Sequence, residues 1–366
     1  MQKPDRTEKD RYAPESLVRQ EIRDLQAYHV PSARGLIKLD AMESPYGFPE
    51  SLVEEWKETV GTARINRYPD PACTRLREIV RGCFQVPDAC EIVFGNGSDE
   101  LIQMIVMLVG GSGRPVLAPE PSFSMYRQIC GPLGTEFVGV PLGEDYSLDG
   151  DRFLAAVRDR DPACIFLAYP NNPTGNCFDE DVLAEVLEAA RGLVVIDEAY
   201  FAFCRKTFMN KVVGHDNLMV LRTMSKSGLA GLRLGMLFAN RPWTSQIEKI
   251  RLPYNINCLT QLSMQFYLEH HEVLDRQARK IAASRETLYG TLQRIPGVAA
   301  FPSEANFILF RVQEAESVHA KLRDQGVLVK SLHQPQAALQ DCLRVSVGSE
   351  AENEAFLKAL VIALAG

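Results

Sequence analysis

The chain has 366 residues, 46% of them hydrophobic and 24% charged, with a formal net charge of −7. That length accommodates one large domain and a smaller one, and the acidic balance excludes an overall basic field for nucleic acid or an anionic membrane. Nine cysteines, odd in number and never spaced C-x-x-C, argue against a disulfide framework and a zinc site and for reduced thiols. His270 and His271, the only adjacent histidines, diverge along a helix rather than converge on a metal. Met1 to Arg23 is largely charged and polar, and no apolar run nears the roughly 20 residues that cross a bilayer. The expectation is a soluble, cytoplasmic, metal-free protein.

In chain order, the first thirty or so residues read as a charge-rich arm, partly helical from Leu17 to Tyr28. Leu36 to Asp40 is a short strand. Ser51 to Val60 reads as a helix with a Ser51 and Glu54 capping box. Helices and strands then alternate: helix Thr74–Phe84, strand Glu91–Phe94, helix Asp99–Val109, strand Pro115–Ala118, helix Ser122–Cys130, strand Thr135–Val140 and helix Leu148–Arg158. Strand Ala163–Ala168, helix Asp179–Ala190 and strands Leu193–Ile196, Met219–Arg222 and Leu234–Ala239 follow. Short apolar strands between helices predict a mostly parallel sheet covered on both faces, with ligands at the strands' carboxyl ends. Beyond Pro253 the pattern changes to one long helical stretch, Leu259–Leu292, then strands Phe307–Val312, Val327–Lys330 and Leu343–Val347 and helices Ala315–Gln325 and Glu350–Ala365. The division expected is an arm (1–35), a large domain (36–255) and a smaller α+β domain (256–366) completed by part of the N-terminal segment.

Four polar motifs fall at strand ends. Asn96-Gly97-Ser98-Asp99-Glu100 opens a helix, where free amides bind anions, although ordinary capping by Ser98 is the commoner use of such a string. Tyr169-Pro170-Asn171-Asn172-Pro173-Thr174-Gly175 follows a buried strand; its composition builds turns, but the heptad is more specific than composition. Asp197-Glu198-Ala199-Tyr200 ends the apolar run Leu193–Ile196, so Asp197 either faces a ligand crevice or caps a loop. Arg222-Thr223-Met224-Ser225-Lys226-Ser227-Gly228-Leu229-Ala230-Gly231-Leu232-Arg233-Leu234-Gly235 carries a lysine that, partly desolvated, becomes a nucleophilic amine.

In this order, and with Leu39 to Tyr46, Asn66 to Asp70 and Cys342 to Gly348, the motifs resemble the class I/II aminotransferases of the fold-type I pyridoxal-phosphate (PLP) enzymes. The resemblance spans about Lys38 to Leu360. It implies a PLP-dependent transferase fold of type I, α/β, with a mostly parallel seven-stranded sheet in the large domain. It implies that Lys226 holds PLP as a Schiff base and moves the substrate proton, that Asp197 pairs with the pyridine nitrogen, and that Asn172 and Tyr200 bond the ring oxygen. Ser98, Asp99, Thr223, Ser225 and Arg233 would cradle the phosphate, Phe123 would stack on the ring, and Tyr68 would reach the phosphate of a neighbouring subunit in a homodimer with shared sites. Arg344 would take the substrate α-carboxylate.

Within that family the chain resembles the histidinol-phosphate branch, which implies histidinol phosphate and glutamate or 2-oxoglutarate as substrates, in histidine biosynthesis. Three residues depart from the branch: Ser44 where Asn is usual, Phe123 where Tyr is common, and Lys330 where an Arg contacts the substrate phosphate. Lys330 still attracts phosphate, as a point charge without a fork. Tyr28 is a further candidate to close over the substrate. The alternatives on the same frame are an aromatic amino-acid aminotransferase and a threonine-phosphate decarboxylase; a PLP-binding protein without turnover has little chemical use for Lys226 and Arg344.

Overall fold

The structure, a computed structural model, describes residues 13–27, 30–334 and 338–365. Its strands are β1 (Ile37–Lys38), β2 (Cys90–Asn96), β3 (Val116–Glu120), β4 (Phe137–Pro141), β5 (Cys164–Ala168), β6 (Leu193–Asp197), β7 (Leu218–Thr223), β8 (Leu234–Asn240), β9 (Val298–Ala300), β10 (Phe307–Val312), β11 (Val327–Leu328), β12 (Lys330–Ser331) and β13 (Cys342–Ser346). Seven of them form the main sheet in the order β2-β8-β7-β6-β5-β3-β4. Strands β3 to β7 pair in parallel, and β8 alone runs against both of its neighbours, β7 and β2. The sheet is therefore the mostly parallel α/β layer that the apolar runs predict.

Side-chain alternation divides the core into two layers. Ile165, Leu167, Val194, Ile196 and Val220 pack on one face. Phe166, Ala168, Val195, Leu221 and Leu237 pack on the other. Every residue of β5, β6 and β7 is buried, which is why these strands read as continuous apolar runs rather than alternating ones.

A four-stranded antiparallel sheet, β12-β13-β10-β9, packs on the helices Ala315–Asp324 and Glu350–Ala365. The early strand β1 pairs in parallel with β11. Its continuation is tied to the same region, since the Ser346 amide donates to the Leu39 carbonyl at 2.8 Å and the Met42 amide to Ser346 Oγ at 2.8 Å. The N-terminal segment from Ile37 to Met42 is thus tied to the C-terminal strands β11 and β13.

Three local expectations are corrected. Pro49, which has no side-chain acceptor, stands at the N-cap of helix Glu50–Gly61; Ser51 falls inside the first turn, so no capping box forms. The stretch Leu259–Leu292 is two helices, Cys258–Glu269 and His271–Leu292, separated at His270, whose backbone leaves the helical region (φ −111°, ψ 31°). Val327–Lys330 divides between two sheets, β11 and β12. Among the described residues no helix is long and apolar enough to cross a membrane and no cluster of metal-binding side chains forms.

A buried ion pair ties the residue after β6 to β7. Arg222 donates Nε and Nη2 to Glu198 Oε2 at 2.9 and 2.8 Å. Glu198 also accepts from Thr207 Oγ1 and from the Phe208 amide, and the guanidinium lies 3.7 Å from the ring centroid of Phe201. Removing one partner leaves the other charge buried and unpaired. Glu198→Ala is predicted to cost about 3–5 kcal/mol in urea unfolding; a loss below about 1 kcal/mol, the range of exposed pairs, would contradict this.

Candidate active site

All four motifs meet at one end of the main sheet, and the direction of β8 explains how. Strands β5, β6 and β7 end there, delivering Tyr169, Asp197 and the loop to Lys226. Because β8 runs the opposite way, it begins there, just after Arg233. Strand β2 is antiparallel to β8 and so ends there too, with Asn96 opposite Leu234 and Thr223 opposite Gly235 across the two ladders. One cleft is lined by Ser98, Asp99, Phe123, Asn172, Asp197, Tyr200, Thr223, Ser225, Lys226 and Arg233, together with Ala168 and Ala199. These are ten of the residues that the sequence nominates.

The expected anion cradle rests on two glycines. Gly97 caps the helix Ser98–Val109 at φ 85°, a left-handed conformation that glycine adopts without strain. A Cβ there would lie 2.3 Å from Arg233 Nη2, and one on Gly235 would lie 2.5 Å from the Gly97 carbonyl carbon. The missing side chains let β8 approach the helix start and let the Arg233 guanidinium lie across it. Ser98 is the first residue of the helix rather than its cap, so its amide is one of the orphan donors. Arg233 itself adopts a left-handed backbone (φ 51°), donates Nη1 to Ser225 Oγ at 3.3 Å and stands 3.6 Å from Asp99. Thr223 donates its hydroxyl to Ser225 Oγ at 2.9 Å.

Opposite the cradle stands Asp197, 3% exposed. Its Oδ2 accepts from the Tyr126 hydroxyl at 2.8 Å and its Oδ1 from the Ala199 amide at 3.1 Å. Burial pushes the carboxyl up to about 6, against the pull of these donors, with Asp99 and Glu198 adding repulsion. Lys226 moves the other way: burial first, then the charge of Arg344, lowers its ammonium to about 8. Its Nζ donates to the Ala41 carbonyl at 3.3 Å. Burial raises the Tyr200 phenol, which keeps its proton, and its hydroxyl meets Met42 Sδ at 3.5 Å.

Arg344, 6% exposed on β13, reaches the cleft wall. Nη2 donates to the Asp40 carbonyl at 3.0 Å and Nη1 to Asn172 Oδ1. With its oxygen committed to the arginine, Asn172 turns its amide donors elsewhere. Lys330 lies directly opposite Arg344 in the β12–β13 ladder, and directly opposed residues project from the same face of a sheet. Tyr68 is outside this cleft: it is 81% exposed and stacks on Tyr254 with centroids 4.5 Å apart. Tyr28 lies outside the described residues.

Sequence reasoning missed Tyr126, the Asp40 and Ala41 carbonyls, and the Glu198–Arg222 pair. The hint for Tyr126 is its place three residues after Phe123, which sets the two rings edge to face at 5.5 Å. The carbonyls carry no side-chain signal at all.

The donor set fits PLP. A cradle of helix amides, hydroxyls and a guanidinium suits its phosphate, a desolvated amine suits its aldehyde, and a buried carboxylate suits its ring nitrogen.

Known proteins agree with this chemistry. A profile of the family described as Aminotransferase class I and II matches residues 34–360. Histidinol-phosphate aminotransferase 2 of Nitrosococcus oceani is 51% identical over 354 residues, 96% of this chain and 98% of that protein. Histidinol-phosphate aminotransferase of Chromobacterium violaceum is 44% identical, over 94% of this chain and 97% of its own. Among solved structures, histidinol-phosphate aminotransferase of Sinorhizobium meliloti, in complex with pyridoxal-5'-phosphate, superposes with a TM-score of 0.86 at 24% identity, covering 96% of this chain and 98% of that one.

The lowered Lys226 ammonium gives a pH signature. In the cofactor-free protein, the rate at which an amine-directed acylating reagent labels Lys226 should rise through a midpoint near pH 8. Peptide mapping across pH 6–11 measures it, and a midpoint at the ordinary lysine value of about 10.4 would contradict the desolvation argument.

Proposed function

Because the chain belongs to the class I and II aminotransferases, we propose that it is a PLP-dependent enzyme exchanging the amino group between histidinol phosphate and 2-oxoglutarate, giving imidazole-acetol phosphate and glutamate in histidine biosynthesis. The observation that carries this reading is the convergence of Lys226, Asp197 and Arg233 on one cleft with Arg344 at its wall.

When bound, PLP supplies an aldehyde for the amine and a conjugated ring that accepts electrons from the substrate α-carbon. The chain's own groups do the rest. Lys226, its ammonium lowered by burial, would hold the aldehyde carbon through its amine and would move the proton to and from the substrate α-carbon. Asp197 would present its negative charge to the ring nitrogen and so favour its protonated form. The Asn172 amide, its oxygen held by Arg344, would donate to the ring oxygen together with Tyr200. Ser98, Asp99, Thr223, Ser225 and Arg233 would hold the phosphate, and Phe123 would cover the ring.

Arg344 receives the α-carboxylate of glutamate. It is oriented in advance by Asn172 and the Asp40 carbonyl, so little is lost in ordering it. Histidinol phosphate has no α-carboxylate and brings a phosphate instead. Lys330, across the ladder from Arg344, supports that exchange: two cations on one sheet face serve carboxylate and phosphate in turn. Ser44 and Phe123 remain compatible with this pocket, and Tyr28 of the arm is the candidate to close over the substrate.

The enzyme works as a cytoplasmic homodimer in this reading. Ile65, Tyr68, Leu252, Tyr254 and Leu259 are exposed large apolar residues, of the kind that a second copy would cover. Tyr68, propped by Tyr254 and turned away from its own cleft, is available to a partner's cofactor phosphate.

The test is a coupled assay of glutamate formation from histidinol phosphate and 2-oxoglutarate, run in both directions. The wild type should turn over and Lys226→Ala should not. Arg344→Ala should lower kcat/KM for glutamate about 100-fold or more, the loss expected for a buried charge partner. Unchanged glutamate kinetics in Arg344→Ala would sink the carboxylate assignment.

A further inference from the structure

We infer that Tyr126 is a positioning residue for the transfer reaction, its phenol O–H holding the Asp197 carboxylate negatively charged and aimed into the cleft. The inference rests on Asp197 being the partner of the cofactor ring nitrogen, as proposed above.

Tyr126 is fully buried on the short helix Met125–Cys130. Its ring lies nearly parallel to that of Phe166 from the middle of β5, with centroids 4.6 Å apart and planes at 10°, and meets Phe123 edge to face. This packing asks only for a ring; phenylalanine would satisfy it. The hydroxyl must therefore be explained by its one hydrogen-bond partner among the described residues, Asp197 Oδ2 at 2.8 Å. Burial and the neighbouring carboxylate raise the phenol well above its usual range, so it stays protonated and acts purely as donor.

Asp197 needs that donor. Burial drives it toward the neutral acid, and Asp99 from the helix Ser98–Val109 and Glu198 from its own turn push the same way. The Ala199 amide and Tyr126 are the two donors that oppose them. Lys226 and Arg233 line the cleft from the lysine loop, and Tyr200 stands neutral beside them. A neutral Asp197 would offer the ring nitrogen no counter-charge. The two donors also occupy one oxygen each, which fixes the rotation of the carboxyl group.

The experiment compares wild type, Tyr126→Phe and Asp197→Asn as purified dimer or monomer, whichever forms. Three quantities are read: the Kd for PLP by fluorescence quenching of the cofactor-free protein, the acid limb of the kcat/KM profile, and the urea midpoint. Tyr126→Phe should raise the PLP Kd about 10-fold or more, the scale of a hydrogen bond to a charged group. Without the donor, Asp197 protonates at higher pH, so the acid limb should move upward while the urea midpoint stays near wild type. Should Asp197→Asn impair PLP binding while Tyr126→Phe leaves both Kd and acid limb unchanged, Tyr126 is a packing residue and the inference falls. Loss of the folded state in Tyr126→Phe would overturn it as well, by making the hydroxyl structural. Wild-type PLP affinity in Asp197→Asn would instead remove the Asp197 assignment on which it rests.

Discussion

Desolvation at one end of the seven-stranded sheet governs both the fold around the cleft and its chemistry. Strands buried on both faces bring their ends into a region with little water, and burial there pushes Asp197 and Lys226 toward their neutral forms. Asp197 rises to about 6 and Lys226 falls to about 8 within the same cleft. Opposed shifts of an acid and an amine at one site are the pattern by which proteins run proton transfer near neutrality. The shifts are not left to run freely. Asp197 is held short of full neutralisation by the Tyr126 and Ala199 donors, and Lys226 retains attraction from Asp99 and Glu43. The surroundings thus pay for charge only where the chemistry needs it.

Backbone geometry is the second requirement. The antiparallel turn of β8 is what places Arg233 beside the end of β2, and Gly97 and Gly235 set how closely the two approach. Behind this layer, Glu198 and Arg222 fasten the turn that carries Asp197 to the strand that leads to Lys226. Neither residue lines the cleft, yet the pair links the segments that carry two of its reactive groups.

Much of this was legible in the sequence because the signals are local. Apolar runs located β5 to β8, and polar strings at the ends of β2, β5, β6 and β7 located the cleft; ten of the nominated residues line it together. What stayed hidden is non-local or lacks a side chain. The Asp40 and Ala41 carbonyls act through backbone atoms that any residue provides. The cross-strand facing of Lys330 and Arg344 depends on a register that neither segment reveals alone. Tyr126 reads as one more core aromatic until its partner, 71 positions away, is known. The helix break at His270 and the Pro49 cap were misread because apolar periodicity continues across the first and a plausible capping pair imitates the second.

The central claim is that Lys226 carries the cofactor. Borohydride reduction of the PLP-loaded enzyme followed by peptide mass mapping tests it directly. A single reduced pyridoxyl group on Lys226 is the predicted result. A group found on another lysine, or no covalent adduct in a protein that nonetheless turns over, would contradict the account.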